Sequence, residues 1–178
     1  ATTGRHGSVT TAATHSPEAD GLEIRRVAYG DADAALLMAE VQQEYVRRYG
    51  GPDESPMDPL MFAPPDGSFF VGYLDAVPAV SGAWRRSGVV VDGVEETVEI
   101  KRMYVRPTHQ RRGLARRMLA HLEADAAAHG HRAIVLETGD RQPEAIELYR
   151  SSGYREIPGF GYYADSPVSR SFAKLIRL

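Results

Sequence analysis

The sequence predicts one α+β or mixed α/β domain built on a central sheet. Strand and helix patterns follow one another in the order βα, βββ, α, β, α, β, β, and the middle of the chain reads strand, long helix, buried strand. Such a segment is a βαβ unit, whose crossover is right-handed. A length of 178 residues gives room for one sizeable core, but not for two ordinary domains and a linker.

The first half of the chain predicts a strand, a helix and a hairpin. Asp31 is placed to cap a helix whose apolar residues recur at three- and four-residue spacing. Five prolines then mark a loop over residues 52–66, before two runs typical of a hairpin. The predicted elements are a strand at 22–27, a helix from Asp31 to Arg48, a helical turn from Pro59 to Phe62, and strands at 68–74 and 79–86.

The second half predicts the βαβ unit and a final helix with two strands. Its long helix has one apolar stripe, and residues 133–137 are a continuous apolar run typical of a buried, parallel strand. The stripe consists of Leu114, Met118, Leu119, Leu122 and Ala126. The predicted elements are a strand at 97–105, a helix at 111–129, a strand at 133–137, a helix at 143–152, and strands at 154–157 and 171–176.

Composition and charge exclude several classes of function. Lys and Arg total 21 against 24 Asp and Glu, which gives no general case for binding nucleic acid or a membrane surface. Without cysteine there is no disulfide framework and no thiolate nucleophile. We expect no metal site, because the histidines lack ligand spacing. His109 is read as an exposed turn residue and the others as solvated: His6, His15, His121, His129 and His131.

The N-terminal residues are expected to lie outside the folded domain. Residues 1–20 contain Val9 as their only large aliphatic side chain, so they bury too little apolar area to offset the entropy of ordering. We expect a disordered tail there and a single domain over 21–178. No apolar run approaches the ~18–20 residues of a membrane span, and no secretory h-region is visible, so a cytoplasmic location is expected.

Charge is distributed unevenly along the chain. Residues 100–122 contain seven Lys or Arg and no acid, whereas residues 53–66 contain four acids and no Lys or Arg. The basic segment is predicted to face anions, and the acidic one could face a cation. Asp53, Glu54, Asp58 and Asp66 are the four acids.

The basic segment also contains a strand end, a turn and a helix start. The first turn of a helix has unpaired N–H groups and a positive dipole end. Gly113 removes a side chain where a ligand would approach closely, and Arg111 and Arg112 are unfavourable beside that dipole unless an anion binds. These features predict a pyrophosphate cradle. The alternative is a solvated basic helix start.

Two motifs around this turn carry a family resemblance. Gln110-Arg111-Arg112-Gly113-Leu114-Ala115 follows Val105-Arg106-Pro107, and residues 142–154 read Gln-Pro-Glu-Ala-Ile-Glu-Leu-Tyr-Arg-Ser-Ser-Gly-Tyr. They resemble the acyl-CoA signature Gln/Arg-x-x-Gly-x-Gly/Ala and the downstream Asn-x-x-Ala-x-x-x-Tyr-x-x-x-Gly-Phe of the GNAT family of N-acetyltransferases. Gln142 and Tyr154 depart from that pattern.

The resemblance implies a fold, a reaction and a cofactor site. The fold would be a mixed, mostly antiparallel sheet of six or seven strands with about four flanking helices, and a cleft where the central strand bulges and splays from its neighbour. The reaction would move the acetyl group of acetyl-CoA to a primary amine of a small molecule by direct attack in a ternary complex. The implied cofactor contacts are Met103, Tyr104, Val105, Gln110, Arg111, Arg112, Gly113, Leu114, Ala115, Arg116, Gln142 and Tyr149.

Such a reaction needs a donor near the thioester carbonyl, an acid and a base. The N–H of Met103 or Tyr104 is the expected donor. Tyr149, seven residues past Gln142, is the expected acid for the leaving thiolate, and a core-edge aromatic is its alternative role.

Two carboxylates compete for the role of base. Glu99 lies four residues before Met103 and is the preferred candidate, and Glu137 at the end of the buried strand is its rival. Either could instead be a strand-end acid paired with Lys101, Arg102 or Arg141.

The resemblance places the acceptor between the acidic loop at 53–66 and the aromatic segment from Phe160 to Asp165. Acids with aromatics suit a cationic or aromatic amine, although a solvated loop and a core cluster would have the same composition. The alternatives in function are a protein lysine or N-terminal acetyltransferase, a non-catalytic CoA-binding module, and DNA binding through residues 101–117. By analogy, a homodimer could form along an apolar edge from Phe172 to Leu178.

Overall fold

The computed structural model describes residues 21–177, so the predicted tail at 1–20 lies outside the described residues. Within this range the chain forms seven strands and three α-helices. In chain order these are β1 (Glu23–Val27), α1 (Ala32–Tyr49), β2 (Gly67–Leu74), β3 (Val77–Ser87), β4 (Thr97–Val105), α2 (Leu114–Ala128), β5 (Ala133–Gly139), α3 (Pro143–Ser151), β6 (Arg155–Ile157) and β7 (Ser169–Leu175).

The strands form one sheet in the order β1-β2-β3-β4-β5-β7-β6. Neighbours are antiparallel except β4 and β5, which are parallel and joined through α2. The predicted mixed, mostly antiparallel sheet is therefore confirmed. The expectation of an apolar edge from Phe172 to Leu178 is wrong for Phe172 and Ala173, because β7 pairs there with β5 on one side and with β6 on the other. Leu178 lies outside the described residues.

The helices begin and end at residues with clear physical reasons. Asp31 caps α1, since its side chain accepts hydrogen bonds from the N–H groups of Asp33 and Ala34. Gly50 ends it in the left-handed region at φ 80°. Residues 21–177 contain three α-helices where the resemblance implied about four, and the other helical turns in this range are 3₁₀, including one from Pro59 to Phe62.

Helix α2 begins at Leu114, whereas the apolar spacing predicted a start at Arg111. Arg111 and Gly113 both lie in the left-handed region, at φ 63° and 74°, so the helical repeat cannot start before them. The predicted apolar stripe of α2 is confirmed, because Leu114, Met118 and Leu122 are each at most 1% exposed.

The sheet has apolar packing on both faces. Helices α2 and α3 cover one face, where Trp84, Ile100 and Phe172 lie in the same cluster as the α2 stripe. Helix α1 covers part of the other face through Leu37, which packs with residues of β2. Burying one such side chain contributes about 1.5–3 kcal/mol, so the sheet is a rigid platform for residues at its centre.

Strands β4 and β5 separate part of the way along their length. Only Thr97 to Glu99 pair with Ala133 to Val135, although both strands continue beyond. An extra residue in β4 produces a bulge against β3, and Arg102 within it has φ 58°. The implied bulge and splay are thus confirmed, and they open a cleft in the middle of the sheet.

Candidate active site

The cleft opens into a cavity of about 430 Å³, which we call the first cavity. Its walls come from the splayed parts of β4 and β5, the end of α1, the start of α3 and the segment before β7. Among the predicted site residues it brings together Met103, Gln142 and Tyr149, and it adds Glu137. The chain segments that meet here are far apart in sequence.

The free edge of β4 runs along this cavity. Beyond Glu99, β4 has no strand partner on its β5 side among the described residues, so an extended ligand could pair with its backbone as an added strand. The side chains alternate: Met103 and Val105 pack toward the α2 face, whereas Tyr104 packs with the cluster under α1. Contacts from Tyr104 to a ligand in the cleft would therefore use its backbone.

The turn at residues 110–115 lies outside the first cavity, at the start of α2. Among the described residues, no side chain caps this helix, and apart from Gly113 and its chain neighbours no heavy atom lies within 4 Å of the place where a Cβ on Gly113 would stand. Arg111 and Arg112 are exposed, while Leu114 is buried, so only the backbone of Leu114 can face a ligand. Open N–H groups beside two guanidinium groups fit the pyrophosphate of coenzyme A.

Two predicted cofactor contacts at this turn also have roles in the fold. The Gln110 side chain donates to the Val105 carbonyl at 3.3 Å. The Arg116 guanidinium donates to Ser151 at 2.8 Å and to Ser152 at 3.1 Å. Arg116 thereby ties α2 to the end of α3, the helix that carries Tyr149.

Tyr149 is buried where α3 meets the first cavity. Its ring lies 5.8 Å from that of Tyr154 and 6.2 Å from that of Phe172, so packing holds its orientation. Burial, with a smaller contribution from Tyr45, raises the pKa of Tyr149. The phenol therefore stays protonated at neutral pH and can act as a hydrogen-bond donor.

The two candidate bases have different surroundings. Glu99 pairs with Arg85 at 2.8 Å, with both side chains largely buried, so its partner is none of the three cations considered from the sequence. Among residues 21–177, the Glu137 carboxyl receives only a long hydrogen bond, 3.4 Å, from the Ser169 hydroxyl. Burial raises the pKa of Glu137 to about 7, with Lys101 opposing the rise and Glu99 and Asp53 adding to it.

Sequence reasoning missed the ion cluster around Asp53. One oxygen of Asp53 accepts from Arg102 at 2.8 Å and from the Lys101 ammonium at 3.4 Å. The other accepts from the Ser55 N–H at 2.9 Å and the Tyr163 hydroxyl at 3.0 Å. Burial would raise the pKa of Asp53, but the Lys101 charge and the hydrogen bonds outweigh it and hold that pKa well below its usual range.

The segregation of charge along the chain was the available signal for this cluster. The acidic segment does meet the basic one, but only Asp53 and Glu54 of the four acids line the cavity. Asp58 caps the 3₁₀ turn and Asp66 pairs with Arg86 at 3.5 Å.

The aromatic segment from Phe160 to Asp165 divides two spaces. Tyr163 lines the first cavity, whereas Phe160 and Tyr162 line a second one of about 430 Å³ beside Met61 and Arg85. Glu99 lines only this second cavity, and Glu137 lines both. The side chain of Glu137 thus stands where the two spaces meet.

The expectation that the histidines are solvated is wrong for His131. It is buried against the Trp84 ring at 5.2 Å, and burial lowers its pKa. His6 and His15 lie outside the described residues. Across residues 21–177, no group of three or more His, Cys, Asp or Glu side chains is placed to hold a metal. In the same range, no helix combines the length and apolarity needed to cross a membrane.

Comparison with known proteins identifies the family to which this sequence is similar. Residues 38–154 match the Acetyltransferase (GNAT) family. An IAA acetyltransferase of Azospirillum brasilense is 32% identical over 138 residues, which cover 77% of this chain and 87% of that protein. The family uses acetyl-CoA as its acyl donor.

Solved structures agree with this assignment. A Klebsiella pneumoniae protein assigned as an acyl-CoA N-acyltransferase has a TM-score of 0.69 and 28% identity, covering 87% of this chain and 97% of its own. The ribosomal-protein-S18-alanine N-acetyltransferase of Escherichia coli shares the fold, with a TM-score of 0.61 at 20% identity over 88% of this chain and 95% of its own. The chain therefore belongs to the GNAT family of acetyltransferases and is an acyl-CoA-dependent N-acyltransferase.

Proposed function

We propose that this enzyme transfers the acetyl group of acetyl-CoA to a primary amine of a small molecule, by direct attack in a ternary complex. The observation that carries the proposal is that the free edge of β4, the Tyr149 phenol and the Glu137 carboxyl all face the first cavity. Acyl transfer to an amine requires backbone hydrogen-bond donors, an acid and a base around one cavity.

The cofactor would lie along β4 and end at the turn before α2. The N–H groups of residues 111–115, with Arg111 and Arg112, would hold the pyrophosphate, and the backbone of Met103 and Val105 would hold the pantetheine arm. Gln142 lies at the start of α3 and lines the same cavity. When bound, acetyl-CoA supplies the acetyl group as a thioester.

Glu137 takes the proton from the attacking amine in this proposal. Its pKa of about 7 makes it a base that is present as carboxylate at neutral pH and still able to hold a proton. Glu99 was the first choice from the sequence, but its close pair with Arg85 supports a different role. Its charge is one of the causes that raise the pKa of Glu137.

Tyr149 and the β4 backbone donate hydrogen bonds to the reacting thioester. The protonated Tyr149 phenol donates to the departing thiolate. The N–H of Met103 or Tyr104, on the unpaired side of β4, donates to the thioester carbonyl oxygen as negative charge develops there.

Two observations support a small acceptor over a protein. The Tyr163 hydroxyl donates to Asp53 and accepts from the Glu54 N–H at 2.8 Å, so it joins the loop after α1 to the segment before β7 at the cavity wall. A protein acceptor would need an open groove there. The relative from Azospirillum brasilense is named an IAA acetyltransferase, a name that points to a small-molecule acceptor.

Steady-state kinetics on an amine panel, read by release of free CoA, tests the proposal. Glu137→Gln should lower kcat by about 10²- to 10⁴-fold, with the Kd for acetyl-CoA nearly unchanged. Glu147→Gln on the exposed face of α3 is the matched control and should behave as wild type. Wild-type turnover by Glu137→Gln at saturating substrates would exclude Glu137 as the base, and a panel with no acetylated amine would overturn the proposed function.

A further inference from the structure

The first cavity contains two buried cations that share one close carboxylate partner. Lys101 and Arg102 are 8% and 5% exposed, and both pair with the single carboxylate of Asp53. Glu137 forms no ion pair within residues 21–177, and Glu54 is exposed. Buried charges without a full set of partners are costly, so the cavity is suited to an anionic group on a ligand.

Hydrogen-bond donors remain available on the same two side chains. The Nε of Arg102 is buried and has no hydrogen-bond partner among the described residues. The Lys101 ammonium has three N–H donors and two partners, Asp53 at 3.4 Å and Ser55 at 3.2 Å. A carboxylate between the two cations would accept from both.

The bulge in β4 keeps Arg102 in place. Its backbone lies in the left-handed region at φ 58°, and its carbonyl accepts from the Ser81 hydroxyl at 2.8 Å. The guanidinium is anchored to Asp53 at 2.8 Å. An arginine held so at both ends is a preorganised anion site, because little conformational entropy remains to be lost on binding.

We propose that the acceptor is an amino-acid-type zwitterion, whose carboxylate binds Arg102 and Lys101 while its amino group lies at Glu137. This inference rests on the proposed acetyl transfer and specifies the class of acceptor. Arg102 and Lys101 are binding residues in it, and Glu137 is the catalytic residue.

The charge count favours a zwitterion over a simple amine. Lys101 and Arg102 balance Asp53 and an ionised Glu137. A simple ammonium would add a third positive charge to this desolvated space, whereas a zwitterion adds none. Glu137 takes one proton from the ammonium, and the resulting neutral amine forms the amide bond as the thioester C–S bond breaks. The departing thiolate receives the Tyr149 proton, and the second proton lost by the attacking nitrogen restores Tyr149, so the products are the amide, the free CoA thiol and protonated Glu137.

Matched pairs of acceptors test the proposal. Each pair is an amino acid and the amine formed by its decarboxylation, such as phenylalanine with phenethylamine or leucine with isopentylamine, compared as kcat/KM per neutral amine. The wild-type enzyme should favour the amino acid by about ten- to a hundredfold, the range of one charge-assisted hydrogen bond. Absence of that preference in the wild type would overturn the inference.

Variants of Arg102 locate the preference. Arg102→Gln should remove it by raising KM for the amino acid only, and Arg102→Lys, which keeps the charge and the partner of Asp53, should retain part of it. Arg47→Gln removes an exposed guanidinium at the end of α1, outside the cavity, and should leave the preference intact. If Arg102→Gln lowers kcat equally for both members of a pair, the guanidinium acts on the thioester and the inference is wrong.

The two proposals fail differently. A wild-type enzyme that acetylates amines without regard to a carboxylate retains the proposed function and contradicts the zwitterion. A protein that does not bind acetyl-CoA in calorimetry, or binds it and acetylates no member of any pair, contradicts both. If Arg102→Gln does not fold, the wild-type comparison and Arg102→Lys still decide the inference.

Discussion

Glu99 and Glu137 show that the same type of side chain has different chemistry at two nearby positions in a sheet. Both lie where β4 and β5 begin to separate, and both are largely shielded from water. Arg85 neutralises Glu99 through a pair at 2.8 Å. Glu137 has no such partner in the described range, so desolvation raises its pKa and makes it the better proton acceptor at neutral pH.

The pH dependence of the reaction follows from this pKa. Because Glu137 acts as a carboxylate and its pKa is raised to about 7, kcat/KM should rise about tenfold per pH unit below 7 and level off above it. The measurement is kcat/KM against pH for wild type and Glu137→Gln. An inflection near 7 that survives in Glu137→Gln would assign it to another group.

The sequence identified both acids and favoured Glu99, whereas the surroundings of the two side chains favour Glu137. Spacing places Glu99 four residues before Met103 and Glu137 at the end of a buried strand, which predicts proximity to the cleft. Their partners depend on β3 and on the segment before β7, which spacing cannot locate. His131 is a similar case, because its burial depends on Trp84, which is distant in sequence.

Strand β4 and helix α2 show which features of an element are local. The bounds of β4 were predicted correctly as 97–105, since Pro107 ends the strand and the apolar pattern is strong. The start of α2 was predicted three residues early, because the left-handed backbone of Arg111 is set by the turn and has no signature in an arginine. The residues around Arg102 likewise give no sign of the bulge, although the family resemblance implied a bulge on this strand.

The 3₁₀ turn from Pro59 to Phe62 packs against the sheet through a glycine. A Cβ on Gly67 would stand 2.1 Å from the Met61 carbonyl oxygen and 2.4 Å from that of Trp84. Those atoms belong to backbone, so they cannot move aside as a flexible side chain could. Gly67 therefore allows the loop that lines the second cavity to sit close to β2.

Gly67→Ala should lower the free energy of unfolding by about 3 kcal/mol or more, at the upper end of overpacking effects. Gly88→Ala is the control, since no atom lies within 4 Å of its Cβ position, and should change stability by less than about 0.5 kcal/mol. Urea titration of both variants and wild type measures the difference. Equal midpoints for the two variants would contradict the close packing described at Gly67.

The order of strands gathers the site from five parts of the chain. The βαβ unit and the hairpin were predictable because each joins elements adjacent in sequence. The insertion of β7 between β5 and β6 was not, since its apolar residues fit an edge strand as well as an interior one. That insertion brings Ser169 to Glu137 and carries Tyr163 to Asp53, so the part of the cavity built by long-range pairing is the part that sequence reasoning missed.

Calorimetric titration of wild type, Gly113→Glu and Gly130→Glu with acetyl-CoA tests whether the cofactor binds at the cleft and at the turn before α2. Both glycines lie at ends of α2, both have positive φ, and neither has an atom within 4 Å of its Cβ position, so the variants share the same backbone strain. We predict one-to-one binding by wild type and Gly130→Glu, and binding weakened about a hundredfold or more by Gly113→Glu, whose carboxylate would face the pyrophosphate. Equal binding by the two variants would place the cofactor elsewhere, and no binding by wild type would contradict the account.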